Sequence, residues 1–429
     1  MKIIQLTPGS GDNFYCENCL RDNDLVKALR QQGQDALLVP LYLPGRMEET
    51  GCEQNLPIFF GGINVYLQQK FSLFRRSPRW LDRLWDARTL LNWAAGRVSM
   101  TRARDLGETA ISILRGEEGR QVKELDRLVN WLASEAKPDI ICLSNAMLAG
   151  MARRLKEQLK APVVCLLQDE DEFLDALEEP YRETAWQILR ERVADVDLFI
   201  AVSNYYASVM GERLKLNAQK ITVVYQGILL EGFEPAPSIP KIPTIGYLSR
   251  MCPDKGLDRL TEAYLLLKKH DQLQQTRLRI AGGKTRADDD FINRLRRQLI
   301  AGGVWDDVEF LESFERPMRQ DFLRTLSVLC VPERRGESSG RYVLEALACG
   351  VPVVQPRSGV FTELLELTGG GILVSEAGDA NELAQALEKL LLVPDQARAL
   401  GIRGRKAVCE QFNVEGTARQ LVEIFQNLT

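Results

Sequence analysis

The chain reads as an α/β protein built from two Rossmann-like doubly wound halves, and three observations carry that reading. Short apolar runs of strand length alternate with longer amphipathic stretches, the pattern of βαβ units. The pattern starts twice, at Lys2 and again at Thr244. Between the two starts Pro235, Pro237, Pro240 and Pro243 crowd one short stretch, the clearest boundary in the chain. A length of 429 residues leaves room for two or three domains at about 150 residues each. The expected limits are 1–235, with a helical insertion at about 44–119, then 241–405, then a last helix at 406–429.

The first half opens with strand Lys2–Thr7, a loop carrying Gly9, Ser10 and Gly11, a helix bearing Leu20, Leu25, Val26 and Leu29, and strand Ala36–Leu41. A dinucleotide fingerprint fails here, because Phe14 occupies the third glycine's place and no acid ends the second strand. Arginines are dense from Arg75 to Arg104, among Trp80, Trp85 and Trp93. Two readings stand for 70–104: a basic surface for anionic lipid or an acceptor, or helical layers whose arginines lie in water. The second is preferred, because tryptophan is usually largely buried. Val122–Ala133 is helical, and strands Ile140–Leu143 and Val163–Leu167 follow. Ligands meet doubly wound sheets at strand ends, so Ser144, Asn145, Gln168 and Asp169 are acceptor or cleft candidates.

In the second half, strand Thr244–Leu248 leads to Arg250, Lys255 and Gly256. Leu278–Ile280 and Val308–Leu311 are strands, and Phe314 stands where it could flank a base. The stretch Leu329–Pro356 then reads as strand, polar loop, helix and strand, with Ser338 and Ser339 as N-cap candidates. Amides of Gly340 and Arg341 at the helix start suit a phosphate. Glu337 and Glu345 frame that start, and carboxylates accept from hydroxyls. Ribose, diphosphate and sugar have that layout. These residues alone leave open a sugar-nucleotide site and an ordinary strand–helix unit.

Net charge of −4 argues against a dedicated nucleic-acid partner. No secretory start and no membrane-length apolar run is present, and most of the nine cysteines sit in apolar contexts, as expected of reduced thiols in the cytoplasm, at the inner face of the membrane if 70–104 meets lipid. Cys16 and Cys19 with a single histidine, His270, make a poor metal set, so no metal and no cofactor are expected.

Glu337, seven residues, Glu345 and the run Ala346-Leu347-Ala348-Cys349-Gly350-Val351-Pro352 resemble the signature of retaining glycosyltransferases of family four. The resemblance implies a GT-B fold, with two domains facing across a cleft, the first for acceptor and the second for donor. It implies that Glu337 meets the donor sugar, Glu345 the ribose, and Arg250 and Lys255 the diphosphate. Gly11, Ser339, Gly340 and Arg341 would also line the donor site. The family's phenylalanine is Ser339 here, and its histidine near a strand end is absent, with Gln168 a possible substitute. The implied activity is metal-independent transfer of a hexose from a nucleotide diphosphate sugar to a sugar, lipid or small-molecule acceptor. A non-catalytic sugar-nucleotide binder or scaffold of the same fold is the alternative.

Overall fold

The structure, a computed structural model, describes residues 1–8, 17–42, 60, 103–312, 315–375 and 379–429. Gly9, Ser10, Gly11, Phe314 and residues 70–102 of the Trp/Arg-rich stretch lie outside the described residues. The described chain forms two compact units, Met1–Tyr225 with Val414–Thr429, and Gln226–Asn413.

The first unit holds a parallel sheet of β1 (Lys2–Thr7), β2 (Asp35–Pro40), β3 (Ile140–Leu143), β4 (Val163–Leu167), β5 (Leu198–Ala201) and β6 (Ile221–Val223), in the order β2-β1-β3-β4-β5-β6. The second holds β7 (Thr244–Leu248), β8 (Arg277–Ala281), β9 (Val308–Leu311), β10 (Val328–Cys330), β11 (Val353–Pro356) and β12 (Gly371–Val374), in the order β12-β11-β10-β7-β8-β9, again parallel. Helices cover both faces, so central strands are apolar throughout rather than alternating; β3, β4, β7 and β10 are buried along their whole length. In both sheets the strand order reverses beside the first strand, at β1/β3 and at β7/β10. Loops leaving adjacent strands diverge there and open a crevice at the carboxyl ends.

The chain passes between units before the proline-rich stretch rather than within it. Ile228 N already donates to Phe412 O at 2.9 Å, and Arg316 and Arg405 grip carbonyls of Leu229, Glu231 and Phe233. The return falls at Val414, not at 406, because helix Pro394–Gln411 packs on helices Arg341–Ala348 and Val360–Thr368 of the second unit. Helix Val414–Gln426 lies against helix Glu17–Gln31 in the first. His270 follows helix Leu257–Leu267 and caps a short turn, its Nδ1 accepting from Gln272 N.

Candidate active site

Three loops leave the adjacent strands β10, β7 and β8 side by side. The β7 loop ends at Gly256, with φ +70°, where an added Cβ would stand 1.8 Å from the carbonyl oxygen of Pro332. Only glycine permits that approach, and it pins Lys255 against the loop after β10. Arg334 stitches the same two loops from the other side, its N–H donating to Asp254 O at 2.9 Å and its guanidinium to Asp258 at 2.9 and 2.6 Å.

Lys255 Nζ therefore donates to two carboxylates, Glu337 Oε1 at 2.7 Å and Glu333 Oε2 at 3.1 Å. Both acids are buried, Glu333 only 1% exposed and Glu337 6%. Tyr342, on helix Arg341–Ala348, donates its hydroxyl to Glu333 Oε1 at 3.0 Å. Burial first, then the neighbouring Glu337 carboxylate, pushes the Glu333 carboxyl well above its ordinary range, against the pull of Lys255. Glu337 Oε2 is buried and receives no hydrogen bond from any basic or neutral group among the described residues. The Glu337 backbone is held too. Its carbonyl accepts from Val360 N at 3.0 Å, and Gly359, at φ +55°, leaves no room for a Cβ beside Glu337 N, 2.7 Å away.

Arg250, from the β7 loop, forks onto Asp288 at 3.0 to 3.1 Å and reaches Thr285 Oγ1 at 3.2 Å, both on the β8 side. Its side chain stays 51% exposed. Burial alone would raise the Asp288 carboxyl, but the Thr285 amide and hydroxyl and the Arg250 guanidinium hold it below the usual range. Gly340, left-handed, is the N-cap of helix Arg341–Ala348, and no side chain caps it. The serine N-cap expected at Ser338 or Ser339 is thus replaced by a glycine turn, with both serines buried beside it. The Gly340 amide donates to no described acceptor.

Glu345, expected to meet the ribose, lies one turn into helix Arg341–Ala348. It is 0% exposed, and its two oxygens accept from Arg319 (3.0 and 3.2 Å) and from Arg341 (3.0 Å). Burial would raise this carboxyl, yet the two guanidinium groups outweigh burial and lower it. An arginine in the first turn opposes the helix dipole; the buried pair with Glu345, one turn on, compensates.

In the first unit the strand-end candidates are brought together. Asn145 Oδ1 accepts from Met147 N at 3.1 Å and starts the turn after β3. Gln168 is 1% exposed, and its Oε1 accepts from Arg21 Nη1 at 2.7 Å. Arg21 also donates to Ser144 O at 2.6 Å, Ser144 Oγ at 3.2 Å and Asp22 Oδ1 at 2.8 Å. The amide oxygen that could have received a substrate hydroxyl is therefore occupied. Asp169 takes a left-handed φ of +59°, a strained conformation for a residue with a side chain. It leads into Glu170, whose carboxylate accepts from Ala146 N at 2.8 Å, Gln168 N at 2.9 Å and Tyr206 Oη at 2.8 Å. Burial raises Glu170, and these donors pull it back.

Glu333, Asp288, Arg319, Tyr342 and Arg21 escaped the sequence reading. Glu333 left a signal, a second acid four residues before Glu337 in a loop that ends a buried strand. The others left none, since their partners lie far along the chain. Among the described residues no group of three or more His, Cys, Asp or Glu is arranged to hold a metal, and no helix is long and apolar enough to cross a membrane.

Comparison with known proteins finds two family models on this chain. The family model described as Glycosyl transferases group 1 matches residues 233–407, and that of Glycosyltransferase Family 4 matches residues 105–231. A GDP-mannose-dependent alpha-(1-6)-phosphatidylinositol monomannoside mannosyltransferase of Mycobacterium tuberculosis is 27% identical over 271 residues, covering 57% of this chain and 67% of its own. A D-inositol 3-phosphate glycosyltransferase of Corynebacterium jeikeium is 31% identical over 185 residues, 43% of each chain. The matched stretches thus span from under half to two thirds of these relatives. The structure of Anabaena HepE in complex with UDP aligns over 100% of both chains with a TM-score of 0.69 at 18% identity, a likeness of fold.

Proposed function

This chain belongs to the glycosyltransferases of family four, enzymes that move a sugar from a nucleotide sugar to an acceptor on the GT-B fold, and we propose that it transfers a hexose from a nucleotide diphosphate sugar, with retention and without metal, through the site at the ends of β7, β8 and β10. The observation that carries this reading is the Lys255 ammonium held between Glu333 and Glu337. A cation beside a carboxylate is what a sugar attached to a diphosphate requires: the ammonium answers the phosphate, and the carboxylate accepts from sugar hydroxyls. Arg250, half-exposed on Asp288, turns its fork to the same diphosphate, and the amide of Gly340 adds a donor at a helix start. Together they stabilise the leaving diphosphate, which itself takes the acceptor's proton on the same face of the sugar. No strong protein base is needed, so the engagement of Gln168 by Arg21 is no obstacle.

Glu345 orders this site from beneath by fixing Arg341, and through it the turn at Gly340. Asn145, Asp169 and the Arg21–Gln168 cluster form the acceptor side. Two donors head the test, because one relative is named for GDP-mannose and HepE was solved with UDP. Thermal shift with GDP-mannose, UDP-glucose, ADP-glucose and dTDP-glucose identifies the base; a millimolar ligand binding at about 10 μM adds roughly 2.7 kcal/mol. With that donor, Glu337→Gln should lower transfer by about 10²–10³-fold and leave affinity for the bare nucleotide diphosphate within a few-fold. Unchanged transfer would remove Glu337 from the role, and activity abolished by EDTA would overturn the metal-free reading.

A further inference from the structure

Two buried carboxylates share one ammonium, and among the described residues no other cation pairs with them. Arg334, next to Glu333 in the chain, is engaged by Asp258. The remaining groups that face Glu333 are Tyr342 on its helix, Tyr247 on β7, whose hydroxyl donates to Arg250 O at 2.7 Å, and Cys252 beyond it. None of them supplies positive charge. Near-equal sharing of Lys255 is tolerable in the empty site. It becomes untenable once a diphosphate draws Lys255 away, because two adjacent buried anions would then face a third. Glu337 Oε2, meanwhile, accepts from no basic or neutral group among the described residues, and the two carboxyl groups are hydrogen-bond neighbours.

We propose that Glu333 is a positioning residue for the donor: it holds one proton and donates it to Glu337, so that Lys255 turns to the diphosphate while Glu337 remains an oriented carboxylate toward the sugar. Glu333 Oε2, vacated by Lys255, carries the proton to Glu337 Oε2, and Tyr342 steadies Glu333 through Oε1. Nothing is consumed; the proton stays within the pair through binding and release. The inference rests on the donor-site reading above and adds a residue to it. A glutamine at 333 has the neutral, donating form permanently, so it should substitute well where alanine does not.

The experiment takes whichever of the four nucleotide sugars gives the largest thermal shift. Infrared difference spectra of the donor complex near neutral pH are recorded for the wild type and Glu333→Gln. The expected result is a protonated-carboxyl band in the wild type that the variant lacks. The wild-type dissociation constant should also weaken at alkaline pH, by up to about tenfold per pH unit as the proton is lost, and stay flat in Glu333→Gln. Glu333→Ala, which also lacks the carboxyl and its band, serves as the reference if the glutamine variant does not fold; where both fold, alanine should lose affinity that glutamine retains. Binding with no such band, or with the same pH slope in both proteins, overturns the inference and spares the donor site. No shift with any of the four would sink the donor-site reading and the inference with it.

Discussion

At the end of the first sheet, Arg21 donates to Gln168, Ser144 and Asp22, and Glu170 gathers three donors of its own. At the same place in the second sheet, Lys255 stands between two acids, Glu333 and Glu337. Topology is shared, since both clusters sit where strand order reverses. The difference lies in the acceptors: Arg21 reaches neutral oxygens as well as one carboxylate, whereas Lys255 bridges two carboxylates. A cation shared by two buried acids is the group expected to change its pairing when an anion arrives. The buried Arg319–Glu345–Arg341 group has the reverse charge balance, two guanidinium groups on one carboxylate.

Substitutions can break this contrast. The largest effect should come from Glu345→Gln, which leaves two buried guanidinium groups without a counter-charge; urea unfolding should show a loss of about 3–5 kcal/mol near neutral pH. The folded carboxyl is lowered, so its stabilisation is fully present above the unfolded value near 4.5 and disappears as pH falls through the lower folded value. The gap between wild type and variant should therefore close on acidification below about pH 4.5. A constant gap would mean that the loss came from packing. Gly256→Ala should come next, at about 2–3 kcal/mol, from a positive φ and a clash with the Pro332 carbonyl. It should weaken nucleotide binding as well, because it moves Lys255; full binding would show the loops to be independent.

Arg21→Lys keeps the charge beside Asp22 but loses the fork to Gln168 and Ser144, a cost of about 1–2 kcal/mol by urea unfolding. Nucleotide diphosphate affinity should not change, and a tenfold loss would erase the division of labour between the units. Smallest in stability is Arg250→Ala, within about 1 kcal/mol because the pair with Asp288 is half-exposed. Its signature is instead a loss of nucleotide diphosphate affinity that diminishes as salt rises.

The sequence by itself determined the strands and the doubly wound pattern. Ile140–Leu143, Val163–Leu167, Thr244–Leu248 and Val308–Leu311 are bounded in the structure as their apolar runs predict. It also determined the helix from Arg341 to Ala348 with Glu337 before it. Those features depend on periodicity and turn chemistry within a dozen residues, and such windows are complete in the sequence. The tertiary structure alone decided who meets whom. Lys255 finds Glu333 and Glu337 across 78 and 82 positions, Gln168 meets Arg21 across 147, and Glu345 turns to Arg319 across 26. These pairings depend on how the loops diverge from neighbouring strands and on a glycine thin enough to let two backbones touch. A carboxylate's role follows from what surrounds it. Glu337 and Glu345 are the same residue in one short motif, yet their partners set one beside an ammonium shared with a second acid and close the other between two arginines.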